Sequence, residues 1–349
     1  MNSLFKICRF LWITLCLTML SSTVYMQEDE ISGLLEQATE FVQQSQYDKA
    51  LDIYNFYLRF LPNHVDALSQ RAVTYASIGD FDRAFRDIDH AFDSAGFSAI
   101  EQAIAHNHRA QIYFLNQETG SALKDFNRAI ELNPDNPDYW LNRGILYQLT
   151  NEWELSIRDF EAYLERNPTD AEGFVNIARA YLALNNFDDA VDALGSAIAI
   201  TPNDPELYIF RGSVNLIAEQ FANAAQDYAD WLNLINTTVY DEDAVTTDTD
   251  ERTITMTYGA LYRIPFTANS GDRFGVSANS VGVDSLVVLL DPDGNPIMAN
   301  DDGGQGLNSF IIDFTLPTDG TYTLLVGHAR GGWNGDVELT IQVVPSEGI

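Results

Sequence analysis

A period of 34 residues constrains this chain more than any other feature. Three consecutive blocks of that length run without an insertion, over 103–136, 137–170 and 171–204. The first begins AIAHNHRAQIYFL, the second PDYWLNRGILYQL and the third AEGFVNIARAYLAL. A fixed period of this size marks helical hairpins that stack, because one hairpin cannot bury both of its faces. The register extends to 205–238 and back to 31–64, and 65–102 is a copy with about four extra residues around Gly96-Phe97-Ser98-Ala99. Six copies therefore fill most of 27–238.

Fixed offsets within the copies carry the packing. The fourth position is large in Leu34, Leu68, Trp140, Phe174 and Tyr208, with His106 departing. The eighth is small: Ala38, Ala72, Ala110, Gly144, Ala178 and Gly212. The eleventh is aromatic in Phe41, Tyr75, Tyr113, Tyr147 and Tyr181, and Asn215 departs. The twentieth is Ala50, Ala84, Ala122, Ser156, Ala190 and Ala224. Small residues at eight and twenty let two helices approach, and large ones at four, eleven and twenty-four fill the space between hairpins. Pro62, Pro134, Pro168 and Pro202 end the second helices. In these positions the chain resembles the tetratricopeptide repeat family. The resemblance implies a right-handed α-solenoid whose first helices line a groove for a segment of another protein.

Four copies share a second pattern, Arg at position seven and Asp at position twenty-three. The pairs are Arg71 with Asp87, Arg109 with Asp125, Arg143 with Asp159 and Arg211 with Asp227. Each is expected to join the two helices of its hairpin, a structural role. The groove should be lined from offsets two, five, nine and twelve by Leu35, Val42, Val73, Asn107, Gln111, Phe114, Leu141, Ile145, Gln148, Val175, Arg179, Leu182, Ile209 and Ser213. That lining is mostly apolar with scattered amides. Some members of the family grip a C-terminal carboxylate with a Lys/Asn/Arg cluster; only Asn107 and Arg179 resemble one, and no Lys accompanies them. The last second helix carries Trp231, Leu232, Leu234 and Ile235 where an array normally ends in a polar cap, so the following domain should cover it.

The pattern changes after the array. Residues 239–251 are acidic and Thr-rich, and they read as a linker. From 252 to 349, short alternating runs are separated by Ser270-Gly271, Asp293-Gly294, Asp319-Gly320 and Asn334-Gly335 turns, which predicts an antiparallel β-sandwich. The order SLVVLLDPDGN, NDDGG, GTYTLLV and a final GDVEL strand resembles the bacterial pre-peptidase C-terminal domain. That resemblance implies a jelly-roll-like sandwich of exported bacterial proteins, linked to secretion, attachment or ligand binding, sometimes with calcium. The fold class is thus multidomain, an α-solenoid followed by a β-sandwich.

No cofactor is expected, and calcium is the one candidate ion. Asp291, Asp293 and Asn295 are spaced like the start of an EF-hand loop, but Pro296 stands where that loop needs Gly, so Asp293-Gly294 reads as a hairpin turn. Asp284, Asp301, Asp302 and Asp336 are the alternative carboxylate set. The sequence holds no GlyXSerXGly elbow, HisGluXXHis, P-loop or dinucleotide fingerprint, so catalysis is not expected. A formal charge of −32 and the lack of a basic stripe argue against nucleic acid.

Residues 1–26 pair a basic start, Lys6 and Arg9, with an apolar run from Phe10 to Leu20, the pattern of a signal peptide or an N-terminal anchor. Both cysteines, Cys8 and Cys16, lie in that segment, which leaves no disulfide framework after it. The expectation is an exported bacterial protein, extracellular, periplasmic or cell-surface. It would be a non-enzymatic adaptor with an unidentified protein partner in the groove and the sandwich as an attachment or secretion domain. The alternative is a sandwich that itself binds a surface, a glycan or a calcium-dependent ligand, with the array as a spacer.

Overall fold

The computed structural model describes residues 33–96, 98–235, 238–246, 248–257, 260–280, 283–300, 308–328 and 334–346. The N-terminal segment 1–26 and the pair Asp301 and Asp302 lie outside them. Two compact units divide the chain, Met1–Glu152 and Trp153–Ile349.

The first unit is helical: α1 (33–43), α2 (Tyr47–Phe60), α3 (Val65–Ser77), α4 (Phe81–Ala95), α5 (Ala99–Leu115), α6 (Thr119–Leu132) and α7 (Pro137–Leu149). The second opens with α8 (Trp153–Arg166), α9 (Ala171–Ala183), α10 (Phe187–Ile200), α11 (Pro205–Ile217) and α12 (Phe221–Ile235). Ten of the twelve small residues at offsets eight and twenty are fully buried, from Ala38 to Ala224. At Gly212 an added Cβ would sit 3.3 Å from Asp227 Cβ, so the α11–α12 approach requires glycine or a shift. The offset-twenty-four residues Tyr54, Ile88, Phe126, Phe160, Leu194 and Tyr228 are all buried. Asn136, Asp170 and Asp204 cap α7, α9 and α11 by accepting from a backbone N–H of the first turn. The four extra residues of the second copy add a turn to the start of α5, which has 17 residues where α3 has 13.

One fixed position escapes the sequence patterns. Offset fifteen, in the turn inside each hairpin, has positive φ in every copy: Ser45, Gly79, Gln117, Asn151, Asn185 and Glu219. The turn geometry dictates this, and only Gly79 and the two asparagines suit it well.

The rest of the second unit is a sandwich of β1 (Thr238–Asp241), β2 (Thr249–Met256), β3 (Ala260–Ala268), β4 (Arg273–Ser280), β5 (Ser285–Leu290), β6 (Pro296–Asn300), β7 (Ser309–Thr315), β8 (Gly320–His328) and β9 (Gly335–Val344). One sheet has the order β1-β3-β8-β5-β6, the other β2-β9-β4-β7. Pairing is antiparallel except between β1 and β3. Inward residues of both sheets, among them Met256, Ile264, Phe274, Val287, Leu324 and Ile341, form one core. Phe266 stacks on Phe274 and Tyr322, at 4.8 and 5.5 Å between centroids.

The segment read as a linker is drawn into this sheet: β1 pairs with β3, and Val245 bridges to Phe266. Residue alternation gave no sign of β1, because all four of its residues are exposed. The outer face of the five-stranded sheet packs against α12. Trp231 and Leu232 are buried with Leu261, Leu286, Val288, Ala299 and Leu325. The apolar end of the last repeat is thus covered by the following strands, as its composition requires.

Candidate functional site

In the first unit, polar contacts join α1 to α3 and α5 to α7. Thr39 Oγ1 donates to Gln70 Oε1 at 3.2 Å, and Asn142 Nδ2 donates to Asn107 Oδ1 at 3.0 Å. Gln70 also accepts from the Tyr54 hydroxyl at 3.0 Å and donates to Asp66. Gln70 and Asn142 stand at offset six, as does His108, whose Nδ1 bonds the Ile104 carbonyl at 2.9 Å and whose packed surroundings push its pKa down. Offset six was not among the positions expected to line the groove. Its signal was available in the run of polar residues Gln70, His108, Asn142 and Asn176 at a position with no packing duty.

Three of the expected lining residues come together at the α5–α7 seam. Gln111, Phe114 and Ile145 border a pocket of about 90 Å³ with Asn142, Leu146 and Leu149. Its rim is apolar and open, with Ile145 38% and Leu149 60% exposed. Leu141 and Gln148 are half-buried on the same helix. Leu35 and Val42 pack, half-buried, on Ala38, Ala50 and Tyr54, and Val73 packs on the core of the second hairpin.

The second unit offers less. Val175 and Ile209 are buried, the latter among Ala224, Ala225 and Tyr228, so both serve packing. Leu182 is half-buried. Ser213 Oγ donates to the Ile209 carbonyl at 2.8 Å and meets the Tyr228 hydroxyl at 3.2 Å. Arg179 is exposed, but its Nη1 donates to Glu172 Oε1 and Asn176 Oδ1, both at 3.0 Å. With Asn107 bonded to Asn142 and Arg179 bonded to a carboxylate, the two residues that resembled a carboxylate grip are each engaged with their own neighbours.

Three of the Arg–Asp pairs lie within one unit, and their side chains are bonded. Arg71 makes a two-pronged bond to Asp87 at 2.6 and 2.8 Å, Arg109 to Asp125 at 2.6 and 2.9 Å, and Arg211 to Asp227 at 3.0 and 2.6 Å. Arg143 and Asp159 fall in different units; Arg143 Nη1 donates to Asn127 Oδ1 at 2.7 Å, and Asp159 is buried. Arg71 likewise donates to Asn55 at 2.8 Å. Both asparagines belong to the preceding copy, so these two arginines also staple one hairpin to the next. The two departures from the packing offsets have the same explanation. His106 Nδ1 meets Asp125 at 2.8 Å, and Asn215 Nδ2 donates to Asp227 at 2.8 Å.

Burial pushes the Asp125 carboxyl up, but its bonds from Arg109 and His106 outweigh that and hold it below the usual carboxylate range. At Asp227, which is 1% exposed, burial prevails over Arg211 and the neutral Asn215, and the carboxyl is pushed up.

Of the carboxylates considered for calcium, Asp284 is half-buried and Asp336 Oδ1 accepts from Thr255 Oγ1 at 2.8 Å. Asp291 builds a turn: its Oδ1 accepts from the backbone N–H of Asp293 and Asn295, and Gly294 has φ +85° between β5 and β6. This is the hairpin-turn reading of Asp293-Gly294. Among the described residues no group of three or more His, Cys, Asp or Glu could hold a metal ion, and no helix is long and apolar enough to cross a membrane.

Residues 35–96, 110–173 and 153–213 match family models of the tetratricopeptide repeat, and residues 263–328 match that of the bacterial pre-peptidase C-terminal domain. Among solved structures, the chain is similar to the C-terminal part of a TPR repeat-containing protein from Cytophaga hutchinsonii, at 17% identity over 57% of this chain and 78% of that one, TM-score 0.46. It is also similar to a thermophilic TPR protein in Thermus thermophilus, at 20% over 53% and 99%, TM-score 0.43. A MamA from Desulfovibrio magneticus is similar at 15% over 59% and 95%, TM-score 0.37. No curated protein matches the chain.

Proposed function

We propose that this chain, in which tetratricopeptide repeats run into a bacterial pre-peptidase C-terminal domain, is an exported, non-enzymatic adaptor. It holds a segment of another protein along the face made by the first helices. The observation that carries the reading is the open pocket at the α5–α7 seam, where Phe114, Ile145 and Leu149 present apolar surface beside the amides Gln111 and Asn142. A pocket of about 90 Å³ suits one aliphatic side chain, and burying such a side chain contributes about 1.5–3 kcal/mol. Flanking amides then pair with the backbone of the segment, the division of labour seen at anchor-and-rim interfaces. The bonded state of Arg179 favours an internal segment over a C-terminal carboxylate. Export rests on the bacterial domain at the C-terminal side and on the basic-then-apolar pattern of residues 1–26.

Selection from a random peptide library displayed on phage tests this. Enriched peptides should share an aliphatic anchor, bind the full chain, and lose at least tenfold in affinity on Ile145→Asp. Enrichment of peptides indifferent to Ile145→Asp, or no enrichment at all, would remove the reading.

A further inference from the structure

We infer that the outer face of the four-stranded sheet is a second binding site, built for an uncharged saccharide chain. A groove of about 760 Å³ lies there, across β9, β4 and β7. That volume is in the range of ligand sites, roughly 300–1,000 Å³. Its floor follows from strand register. Ser277 pairs with Thr340 on one side and Phe310 on the other, and Gly275 pairs with Gln342. Gly275 points outward between buried Phe274 and Val276, so the middle of the floor carries no side chain.

The wall on the β7 side is made by a bulge. Phe274 pairs with Phe314 and Val276 with Ile311, which leaves Ile312 and Asp313 together opposite Gly275. Asp313 has φ +58°, a conformation that an Asp adopts at a cost, and Ile312 is turned out to 74% exposure. Bulges re-aim side chains at sites, and this one raises Ile312 beside the floor.

The lining chemistry selects the ligand. Asn279, Asn308 and Gln342 supply amides, and Ser277 and Thr340 supply hydroxyls. Thr340 and Gln342 make no side-chain hydrogen bond to any described residue. Amides and hydroxyls both donate and accept, which matches sugar hydroxyls that do the same. Phe310 adds an aromatic surface for the apolar face of a sugar ring. The groove's charges, Arg273 and Asp313, are bonded to each other and cancel. The chain's formal charge of −32 disfavours a polyanionic glycan. A peptide adding as a strand is disfavoured for a different reason: β9 and β4 are paired on both sides, and the bulge kinks the free edge of β7. This site is independent of the α5–α7 pocket.

Calorimetric titration of the full chain with four neutral hexasaccharides, cellohexaose, laminarihexaose, maltohexaose and chitohexaose, tests the inference. A hyaluronan hexasaccharide is the anionic arm. At least one neutral probe should bind, Gly275→Leu should weaken it at least tenfold by filling the floor, and Gln342→Ala should weaken it severalfold. Ile145→Asp should leave it unchanged, which keeps this result separate from the adaptor reading. Urea unfolding of Gly275→Leu, with Gln342→Ala as the variant that alters only an exposed amide, verifies that the fold is intact. No binding of any neutral probe, preference for hyaluronan, or binding unaffected by both substitutions would overturn the inference. Capture of library peptides that is lost on Gly275→Leu would also overturn it, assigning the groove to a protein ligand.

Discussion

The two sheets of the sandwich turn opposite chemistry outward. On the five-stranded sheet the outward residues Leu261, Leu286, Val288 and Leu325 are buried, because α12 lies on them with Trp231 and Leu232. On the four-stranded sheet the outward residues of β4 and β9 are Gly275, Ser277, Asn279, Thr340 and Gln342, and they border an open groove. Each sheet is thus buried on its inner face, and only one is buried on its outer face as well. The comparison separates two jobs within one small domain. One outer face closes the last helical hairpin, and the other is left for a ligand. A glycine stands on each: Gly327 on β8 against Leu232, and Gly275 on β4 in the groove.

The largest expected effect breaks the covered side. Trp231→Ala leaves a cavity between α12 and the sheet and should cost about 3–5 kcal/mol. Urea unfolding should show α11, α12 and the sandwich losing stability together. Loss confined to the helices would deny that the sheet is their cap.

The contrast extends to two ion pairs. Asp227 sits on the covered helix and is pushed up by burial, whereas Asp125, in the third hairpin, is held down by Arg109 and His106. A lowered folded value means a contribution present above the unfolded carboxylate range and lost as pH falls through the folded value. A raised one is fully present below the unfolded value and lost as pH rises through the folded one. Asn cannot titrate, so the two substitutions should respond to acid with opposite slopes. The penalty for Asp125→Asn should be about 1.5–3 kcal/mol at neutral pH and shrink on acidification. The penalty for Asp227→Asn should grow. Urea midpoints at a series of pH values read both; parallel slopes would sink the distinction.

Gly327→Ala would drive a Cβ into Leu232 Cδ2, and overpacking of this kind costs about 1–3 kcal/mol. The matching change on the open face is the smallest effect. At Gly275 a Cβ would meet Ile311 O at 3.5 Å and Gln342 Oε1 at 4.0 Å, both ordinary contacts, so Gly275→Ala should gain about 0.5 kcal/mol from the loss of glycine's freedom. Equal thermal shifts for the two glycine variants would contradict the covered-versus-open comparison.

Repetition decided what could be read from the residues. Ala72, Ala110 and Tyr54 are legible because their positions recur in copy after copy, and the Arg–Asp offsets recur four times. The turn at offset fifteen recurs equally in space, yet its residues are Ser, Gly, Gln, Asn, Asn and Glu, because the turn imposes its positive φ even on side chains that do not favour it. In the sandwich each solution occurs once. β1 is short and exposed, β6 has five residues and opens on Pro296, and neither shows alternation long enough to mark a strand. The sheet groove depends on which outward residues stand beside each other, and register across strands is not visible along one of them. Val175 and Ile209 illustrate the converse limit: their offset points inward along the array, but neighbouring helices bury them.

In the function proposed above, the first-helix face of the array holds a protein segment. A photo-crosslinking amino acid placed at position 145, on that face, and at position 124, on the exposed side of α6, tests it most directly in cells of the source organism. A discrete protein adduct is expected from position 145 and not from position 124. Adducts from position 124 alone, or the same adducts from both, would contradict it.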